Sequence, residues 1–111
     1  MTPLLVALGA AAGAPLRYWL ALRLDKEGLP VGIWVANAAG STLLGLLVGL
    51  GTEGRALALL GVGFCGAFTT FSTFAVQTAG LGTRRGAAYA VATLAGSLLG
   101  CALGYAVGAQ A

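Results

Sequence analysis

The sequence has no histidine and only three acidic residues, Asp25, Glu27 and Glu53. All three acids fall in segments that are predicted to be loops. Paired carboxylates, a histidine-based catalytic triad and a histidine–cysteine metal site all need side chains that are missing or badly placed here. These shortages exclude, or nearly exclude, the common catalytic centres, so the sequence predicts a protein that is not an enzyme.

Charge of either sign is also scarce, since charged residues make up 8% of the 111 residues and hydrophobic residues 59%. A soluble domain carries roughly 25% charged residues, so this chain cannot coat a globule with polar groups. The sequence therefore predicts a membrane protein, with the lipid bilayer as its solvent. The net charge is +3, but the basic residues lie near the ends of apolar segments and not in a patch, which argues against binding to nucleic acid.

The apolar residues form four stretches, each long enough for a helix that crosses a bilayer, which takes about 20 residues. The predicted spans are residues 3–22, 31–50, 56–79 and 86–109, which together make residues 1–111 a single four-helix transmembrane domain. The predicted fold class is therefore an all-α integral membrane protein. We expect it to be a multi-pass protein of the plasma or inner membrane.

The basic residues predict how the spans are oriented. An even number of spans places both termini and the turn at Glu53 on one side, where Arg55 is the basic residue. The opposite side carries four basic residues, namely Arg23, Lys26, Arg84 and Arg85. The positive-inside rule therefore favours the first and third connections in the cytoplasm.

Glycine recurs at four-residue spacing in three of the spans. The positions are Gly9 and Gly13, Gly45 and Gly49, and Gly96, Gly100, Gly104 and Gly108. Small residues at this spacing let helices approach closely in lipid. A tightly packed bundle is the simplest interpretation, and the number of such faces also suggests a second subunit.

The third span contains the stretch GVGFCGAFTTFSTFAVQ, residues 61–77. A helix that faces only lipid gains nothing from clustering hydroxyl groups, phenylalanine rings and glycines within two turns. The stretch predicts a helix that breaks near its middle, where it meets a polar path. Non-helical backbone at membrane depth is stable only where protein or a water-filled cavity covers it.

Polar side chains from three spans extend this path, namely Asn37 in the second, Ser72, Thr73 and Gln77 in the third and Ser97 in the fourth. Serine and threonine can instead bond a neighbouring helix or their own backbone, and that alternative stays open for each of them. The amide of Asn37 favours a functional role, because it is costly to bury without a dedicated partner.

The chemistry of the path favours an anion over a cation. Hydroxyl and amide groups can donate hydrogen bonds to an anion, and a phenylalanine ring has a positive edge. Arg17 is a basic residue within a span that could attract anions, although it could also have a structural role as a snorkelling or helix-capping side chain. The residues alone reach no further than a small anion.

Three motifs occur in order along the chain, GAAAGAPLRY at residues 9–18, GIWVANAAGSTLLG at residues 32–45 and GAFTTFSTF at residues 66–74. They resemble the first-span GGxxGAxxRY, the second-span pattern built on Asn and Gly-Ser, and the third-span GGFTTFSTF of the Fluc (CrcB-type) fluoride channels of microbes. The resemblance covers nearly the whole chain. It implies a passive fluoride-selective channel that exports accumulated fluoride, built as an antiparallel, dual-topology homodimer with two pores.

The resemblance also implies roles for individual residues. It places Phe71 and Phe74 as rings whose edges line the pores, with the other pore residues being Asn37, Ser72, Thr73, Ser97 and Gln77. It further implies a structural Na⁺ at the dimer axis, held by the backbone carbonyls of Gly66 and Thr69. Carbonyl oxygens suit such a hard cation.

The chain departs from the family pattern in three ways. Ala67 stands where a second glycine is usual, and Ala75 and Gln77 stand where Ser and Glu often follow FSTF. The basic residues of the connections are also unequal, whereas a dual-topology protein should be nearly balanced, so an oppositely oriented partner is an alternative to the homodimer.

Two other functions fit a four-span chain of this size. One is a small cation antiporter of the multidrug-resistance type, which would carry a membrane-embedded Glu in its first span, whereas residues 1–22 contain no acid. The other is a non-transporting membrane assembly subunit, whose glycine faces only pack against partners.

Overall fold

The computed structural model describes residues 2–25 and 29–111. Lys26, one of the four basic residues that predict the orientation, and Glu27, an acid predicted to be in a loop, lie outside the described residues. The helices are α1 (Thr2–Leu24), α2 (Val31–Gly49), α3 (Gly54–Ala56), π1 (Leu57–Cys65), α4 (Gly66–Phe68), α5 (Ser72–Gly80) and α6 (Thr83–Gln110). Helices α3 to α5 together form the third span. Within the described residues, four segments are long and apolar enough to cross a membrane, namely Thr2–Leu24, Val31–Gly49, Gly54–Gly80 and Thr83–Gln110. The prediction of an all-helical, four-span protein is confirmed.

The third span changes its helical geometry twice before it breaks. It is π-helical over Leu57–Cys65, so that each turn is wider than in an α-helix and bonds reach five residues back. One α-helical turn follows, and the backbone then becomes extended at Thr69, with φ −85° and ψ 161°. The helix resumes at Ser72, which confirms the predicted break near the middle of the span.

The residues at the break supply their own local hydrogen bonds. The Thr69 hydroxyl donates to the carbonyl of Cys65 at 2.8 Å, and so closes the helix that ends there. The Thr70 hydroxyl oxygen accepts a hydrogen bond from the backbone N–H of Thr73 at 3.2 Å, in the first turn of α5. Threonine side chains compete well for backbone groups at helix ends, which is why this sequence interrupts the helix here.

The glycine faces pack helices together within one subunit. A Cβ atom added at Gly104 would overlap the carbonyl of Thr42, and one added at Gly45 would overlap the carbonyl of Cys101, so α6 lies directly against α2. On the other side of the subunit, a Cβ atom at Gly13 would lie 2.5 Å from the carbonyl of Phe64. These close approaches hold α1 against the first half of the third span and leave the polar residues of α2 and α6 beside the break.

The connections are short and two of them depend on backbone that favours glycine. Gly51 and Gly54, on either side of the second connection, have φ values of 76° and 64°, and Gly82 before α6 has a φ of 85°. In the first connection, the Asp25 carboxylate accepts hydrogen bonds from the N–H groups of Gly32 and Ile33, at 2.5 and 3.3 Å. This carboxylate caps the N-terminus of α2, where a negative charge is favourable.

Candidate functional site

Asn37 holds the broken backbone of the third span in place. Its side-chain oxygen accepts a hydrogen bond from the N–H of Thr70 at 2.8 Å, and its side-chain nitrogen donates to the carbonyl of Thr70 at 3.1 Å. The paired donor and acceptor of the Thr70 backbone fix which way the amide points. Asn37 is 7% exposed, so the dedicated partner that its burial requires is the break itself.

Arg17 stabilises the same break from the side of α1. Its guanidinium donates to the carbonyl of Ala67 at 2.9 Å and to the carbonyl of Thr69 at 3.4 Å. Both carbonyls lie at the end of α4, where a helix leaves acceptors unpaired and favours positive charge. Arg17 therefore lies where a helix-capping side chain would lie, and its role in attracting anions stays a prediction. The guanidinium also adds positive charge beside the break.

A cavity of about 650 Å³ opens beside the break, on the face of the subunit where α2, the third span and α6 meet. It brings together six of the predicted site residues, Asn37, Gly66, Thr69, Phe71, Phe74 and Ser97. Its other polar lining residues are Ser41, Thr70 and Thr93, and no acidic residue is among the described residues that line it. The cavity therefore offers hydroxyl and amide groups together with aromatic rings, and no fixed negative charge.

The two phenylalanines of the cavity lie in different environments. Phe71 is 78% exposed, whereas Phe74 is half-buried. Their ring centroids are 6.0 Å apart with 50° between the planes, and Phe74 in turn lies 5.7 Å from the ring of Tyr89. The tilted rings present edges as well as faces to the space around them, and Phe71 extends furthest from the subunit.

The remaining predicted site residues do not line this cavity. The hydroxyl of Ser72 is exposed and lies 3.5 Å from the hydroxyl of Thr70. Thr73 contributes its backbone N–H to the cap of α5. The side chain of Gln77 points to the first connection, where its nitrogen donates to the Asp25 carboxylate at 3.3 Å. The roles of these three residues in a pore stay predictions.

Two residues that support the site, Thr70 and Asp25, are not among the site residues that the sequence predicts. The Thr70 backbone donates one hydrogen bond to Asn37 and accepts another from it, and Thr70 also caps α5 and lines the cavity. Asp25 joins the start of α2 to Gln77. The sequence does indicate a role for Thr70, because two adjacent threonines stand among the phenylalanines of the third span. Nothing near Asp25 in the sequence indicates its role, because its partner Gln77 is 52 positions away.

The resemblance implies that the backbone carbonyls of Gly66 and Thr69 hold Na⁺, and both residues lie at the break. Gly66 and Thr69 both line the cavity, and an added Cβ at Gly66 would meet no atom within 4 Å. In the described residues, no hydrogen bond reaches the carbonyl of Gly66, while that of Thr69 accepts only the long bond from Arg17. A free carbonyl and a weakly bonded one fit a hard cation, but two oxygens make an incomplete ligand set.

The fold and the cavity define a class, an integral membrane protein of four spans. Its broken third helix opens onto a largely apolar cavity that carries hydroxyl and amide groups and, among the described residues, no carboxylate. A family model described as CrcB-like protein, Camphor Resistance (CrcB), matches residues 4–109. The chain therefore belongs to the CrcB-like family, as its motifs predicted.

Relatives with assigned functions match nearly the whole chain. Fluoride-specific ion channel FluC 2 of Rhodococcus jostii is 46% identical over 110 residues, which cover 95% of this chain and 96% of the relative. FluC 2 of Natronomonas pharaonis is 45% identical over 113 residues, covering 98% and 96%. FluC 1 of Thermobifida fusca is 41% identical over 110 residues, covering 96% and 91%.

Proposed function

We propose that this protein is a fluoride-specific ion channel that lets fluoride leave the cytoplasm passively. The observation that carries this function is the cavity at the break, where hydroxyl groups, the Asn37 amide and two phenylalanine rings meet without an acidic residue among the described lining. The names of the relatives supply the identity of the ion. A carboxylate-free path suits an anion and offers no proton-binding group for a cation antiporter.

The geometry suggests how fluoride would be handled. The Asn37 nitrogen uses one N–H on Thr70, which leaves its second N–H for the cavity that the residue lines. The Thr70 hydroxyl oxygen accepts a hydrogen bond from the N–H of Thr73. Its hydrogen can therefore be donated either to the Ser72 hydroxyl, 3.5 Å away, or to an anion in the cavity. Such donors replace the water shell of a small anion, and the edges of the Phe71 and Phe74 rings add a weak attraction. Weak sites of this kind let an ion enter and also leave.

The proposed assembly is an antiparallel homodimer with two pores. The cavity is open on one side of the subunit, and Phe71 extends from it with 78% of its surface exposed. A second copy on this face would close each cavity into a path. It would also cover the irregular backbone, which is stable inside a bilayer only where protein or a water-filled cavity shields it from lipid. The Gly66 and Thr69 carbonyls of two copies would together give Na⁺ a fuller set of oxygens. Bound there, the ion would hold the two broken helices together.

The function is tested by fluoride efflux from liposomes that contain the purified protein, read with a fluoride electrode beside a chloride control. Rapid loss of fluoride with retention of chloride is the expected result. If a folded protein passes neither ion, or passes chloride equally well, the proposed function is wrong. A non-transporting assembly subunit would give the first of these outcomes.

Antiparallel assembly and sodium are tested separately. A cysteine placed at Thr52, in a background without Cys65 and Cys101, should react with an impermeant thiol reagent from both sides of the membrane. Labelling from one side only would exclude dual topology and favour an oppositely oriented partner. Replacing Na⁺ with a bulky organic cation should lower the thermal stability of the dimer, and an unchanged stability would remove the sodium site.

A further inference from the structure

Helix α5, which follows the break, is attached to the rest of the subunit near both of its ends. None of its nine residues is buried, so its position depends on individual contacts. Asn37 holds the backbone of Thr70 just before it. Near its other end, the side-chain nitrogen of Gln77 donates to the Asp25 carboxylate at 3.3 Å. Phe74 lies on the same face as Gln77, three positions earlier, so this second contact also bears on where the Phe74 ring lies.

The Asp25 carboxylate accepts hydrogen bonds from two helices. One of its oxygens accepts from the N–H groups of Gly32 and Ile33, in the first turn of α2, and the other accepts from Gln77. Asp25 and Gln77 are both half-buried. Because the two N–H groups fix one carboxylate oxygen against α2, the other oxygen has a fixed place for Gln77. Asp25 thereby ties the far end of α5 to the start of α2.

The carboxylate decides which way round the Gln77 amide lies. A carboxylate only accepts hydrogen bonds, whereas a glutamine amide has a donor end and an acceptor end. The amide nitrogen must therefore face Asp25, and the amide oxygen must face away from it. That oxygen is buried and has no hydrogen-bond partner among the described residues. No described group bonded to the oxygen holds the amide in this orientation, so the contact with Asp25 does.

A second contact of α5 leads to the same end of α2. The Phe74 ring lies 5.7 Å from the ring of Tyr89, and the Tyr89 hydroxyl donates to the carbonyl of Pro30 at 3.4 Å. Pro30 directly precedes α2, whose first turn Asp25 caps. Movement of α5 away from α2 and α6 would therefore break the bond of Gln77 and separate Phe74 from Tyr89. The two contacts act together on one ring beside the cavity.

We propose that Asp25 and Gln77 are a positioning pair, whose hydrogen bond holds α5, and with it Phe74, beside the proposed fluoride path. The effect on fluoride rests on the proposed function, whereas the pairing itself does not. Because the bond is what positions α5, either member can carry the negative charge, but both cannot. A glutamate at position 77 would face the Asp25 carboxylate at hydrogen-bond distance, and like charges that close oppose each other. The acid at position 25 therefore explains why a neutral amide stands at position 77, where the family pattern often has Glu.

Exchanging the charge between the two positions tests the pair. Asp25→Asn keeps the cap of α2, because asparagine and aspartate cap helices about equally well. The N–H groups of α2 hold the new amide by its oxygen, so its nitrogen faces Gln77, and the Gln77 amide has to turn over to accept from it. Gln77→Glu alone sets two carboxylates against each other. The double variant, Asp25→Asn with Gln77→Glu, restores one hydrogen bond to a carboxylate, with donor and acceptor exchanged.

We expect the double variant to recover what Gln77→Glu loses. Thermal unfolding of the purified full-length protein in detergent should occur at the lowest temperature in Gln77→Glu and close to the wild-type temperature in the double variant. Asp25→Asn should lie slightly below wild type, because a neutral hydrogen bond is weaker than one to a carboxylate. Fluoride efflux from liposomes should follow the same order. Glu53→Ala is the matched control, since it removes one negative charge at an exposed residue whose side chain caps no helix, and it should change neither measurement.

The orientation of the Gln77 amide can be observed directly, because the chain has one other glutamine, Gln110, which is exposed at the end of α6. With ¹⁵N in the glutamine side chains, NMR spectra of the wild type should show the Gln77 amide shifted and slow to exchange with solvent, and Gln110 similar to free glutamine. In Asp25→Asn the signals of the Gln77 amide should move as it turns over, while those of Gln110 stay. Glu53→Ala should leave both sets of signals in place.

Three outcomes would overturn the proposal. Additive losses, with the double variant less stable than either single variant, would show that the two residues are not paired. Gln77 signals in the wild type that match those of Gln110 would remove the bond. Recovery of stability without recovery of efflux would mean that charge at position 77, and not the position of α5, controls fluoride.

Two further outcomes keep the proposal separate from the function on which it rests. If Gln77→Glu fails to fold, folding of the double variant is itself the rescue, and its failure to fold would count against the pair. If the folded wild type passes no fluoride, the proposed function is wrong, whereas the unfolding temperatures and the Gln77 signals still decide the pairing.

Discussion

The side-chain amide of Asn37 and the backbone of Thr70 form two hydrogen bonds, at 2.8 and 3.1 Å, that replace the helical bonds lost at the break. Thr70 is thereby paired as it would be in a regular helix, although its partner lies 33 positions away. Asn37 of α2 and the irregular backbone of the third span thus satisfy each other's hydrogen-bonding groups. In lipid, where water cannot compensate, either one alone would be costly.

Asn37→Asp should impair fluoride flux and destabilise the break. A carboxylate can still accept from the Thr70 N–H, but it sets an oxygen against the Thr70 carbonyl and opposes an anion in the cavity. An unsatisfied buried group costs about 1–3 kcal/mol, so thermal stability in detergent should fall with the flux. Thr42→Val is the matched control, because the Thr42 hydroxyl donates only within its own helix, to Ala38. Unchanged flux in Asn37→Asp would contradict a pore role for Asn37.

Phe71→Ile and Phe74→Ile should both block fluoride efflux while differing in their effect on stability. Phe71 is largely exposed in the subunit, whereas Phe74 lies between the rings of Phe71 and Tyr89. Ring pairs contribute about 0.5–1.5 kcal/mol each beyond their buried area, so Phe74→Ile should unfold at the lower temperature. Phe64→Ile removes a stacked ring pair outside the cavity and should keep fluoride selectivity. Full flux in both pore variants would refute the assignment of these rings.

Arg17→Gln and Arg17→Lys should separate the structural role of this residue from anion attraction. Hydrogen bonds to charged groups contribute about 1.5–3 kcal/mol. Both variants should lose thermal stability, because a single guanidinium nitrogen, Nη1, donates to Ala67 and Thr69, and the shorter side chains of Gln and Lys do not place a nitrogen at the same point. If positive charge also draws fluoride to the cavity, Lys should retain more flux at low fluoride than Gln. Equal flux in the two variants would leave Arg17 a purely structural residue.

The sequence predicted the helices and the break more readily than the contacts that hold them. Long apolar runs show where a chain crosses a bilayer, and the Thr-Thr pair among phenylalanines shows where a helix has competing local bonds, so both features are local. The contacts of Arg17 with Ala67 and of Gln77 with Asp25 join residues 50 and 52 positions apart. No pattern within a single helix predicts such a pairing.

The glycine faces were visible in the sequence, where their number also suggested a second subunit. Contacts within one subunit account for them, because the glycines of α2 and α6 pack these two helices against each other.

Gly104→Val should prevent stable folding of the subunit, whereas Gly80→Ala should be tolerated. A Cβ atom at Gly104 would overlap the carbonyl of Thr42 and lie 2.9 Å from the backbone nitrogen of Leu46, both of which are backbone atoms that cannot move aside without separating α6 from α2. At Gly80, an added Cβ would meet no atom within 4 Å. Overpacking in a well-packed core typically costs about 1–3 kcal/mol, and backbone overlap should place Gly104→Val at or above the upper end of that range. The measurement is thermal unfolding in detergent, followed by fluoride efflux for each variant that folds. Wild-type stability in Gly104→Val would mean that the α2–α6 contact is looser than these distances require, and the polar residues of the two helices would then lack the rigid support that the proposed path needs.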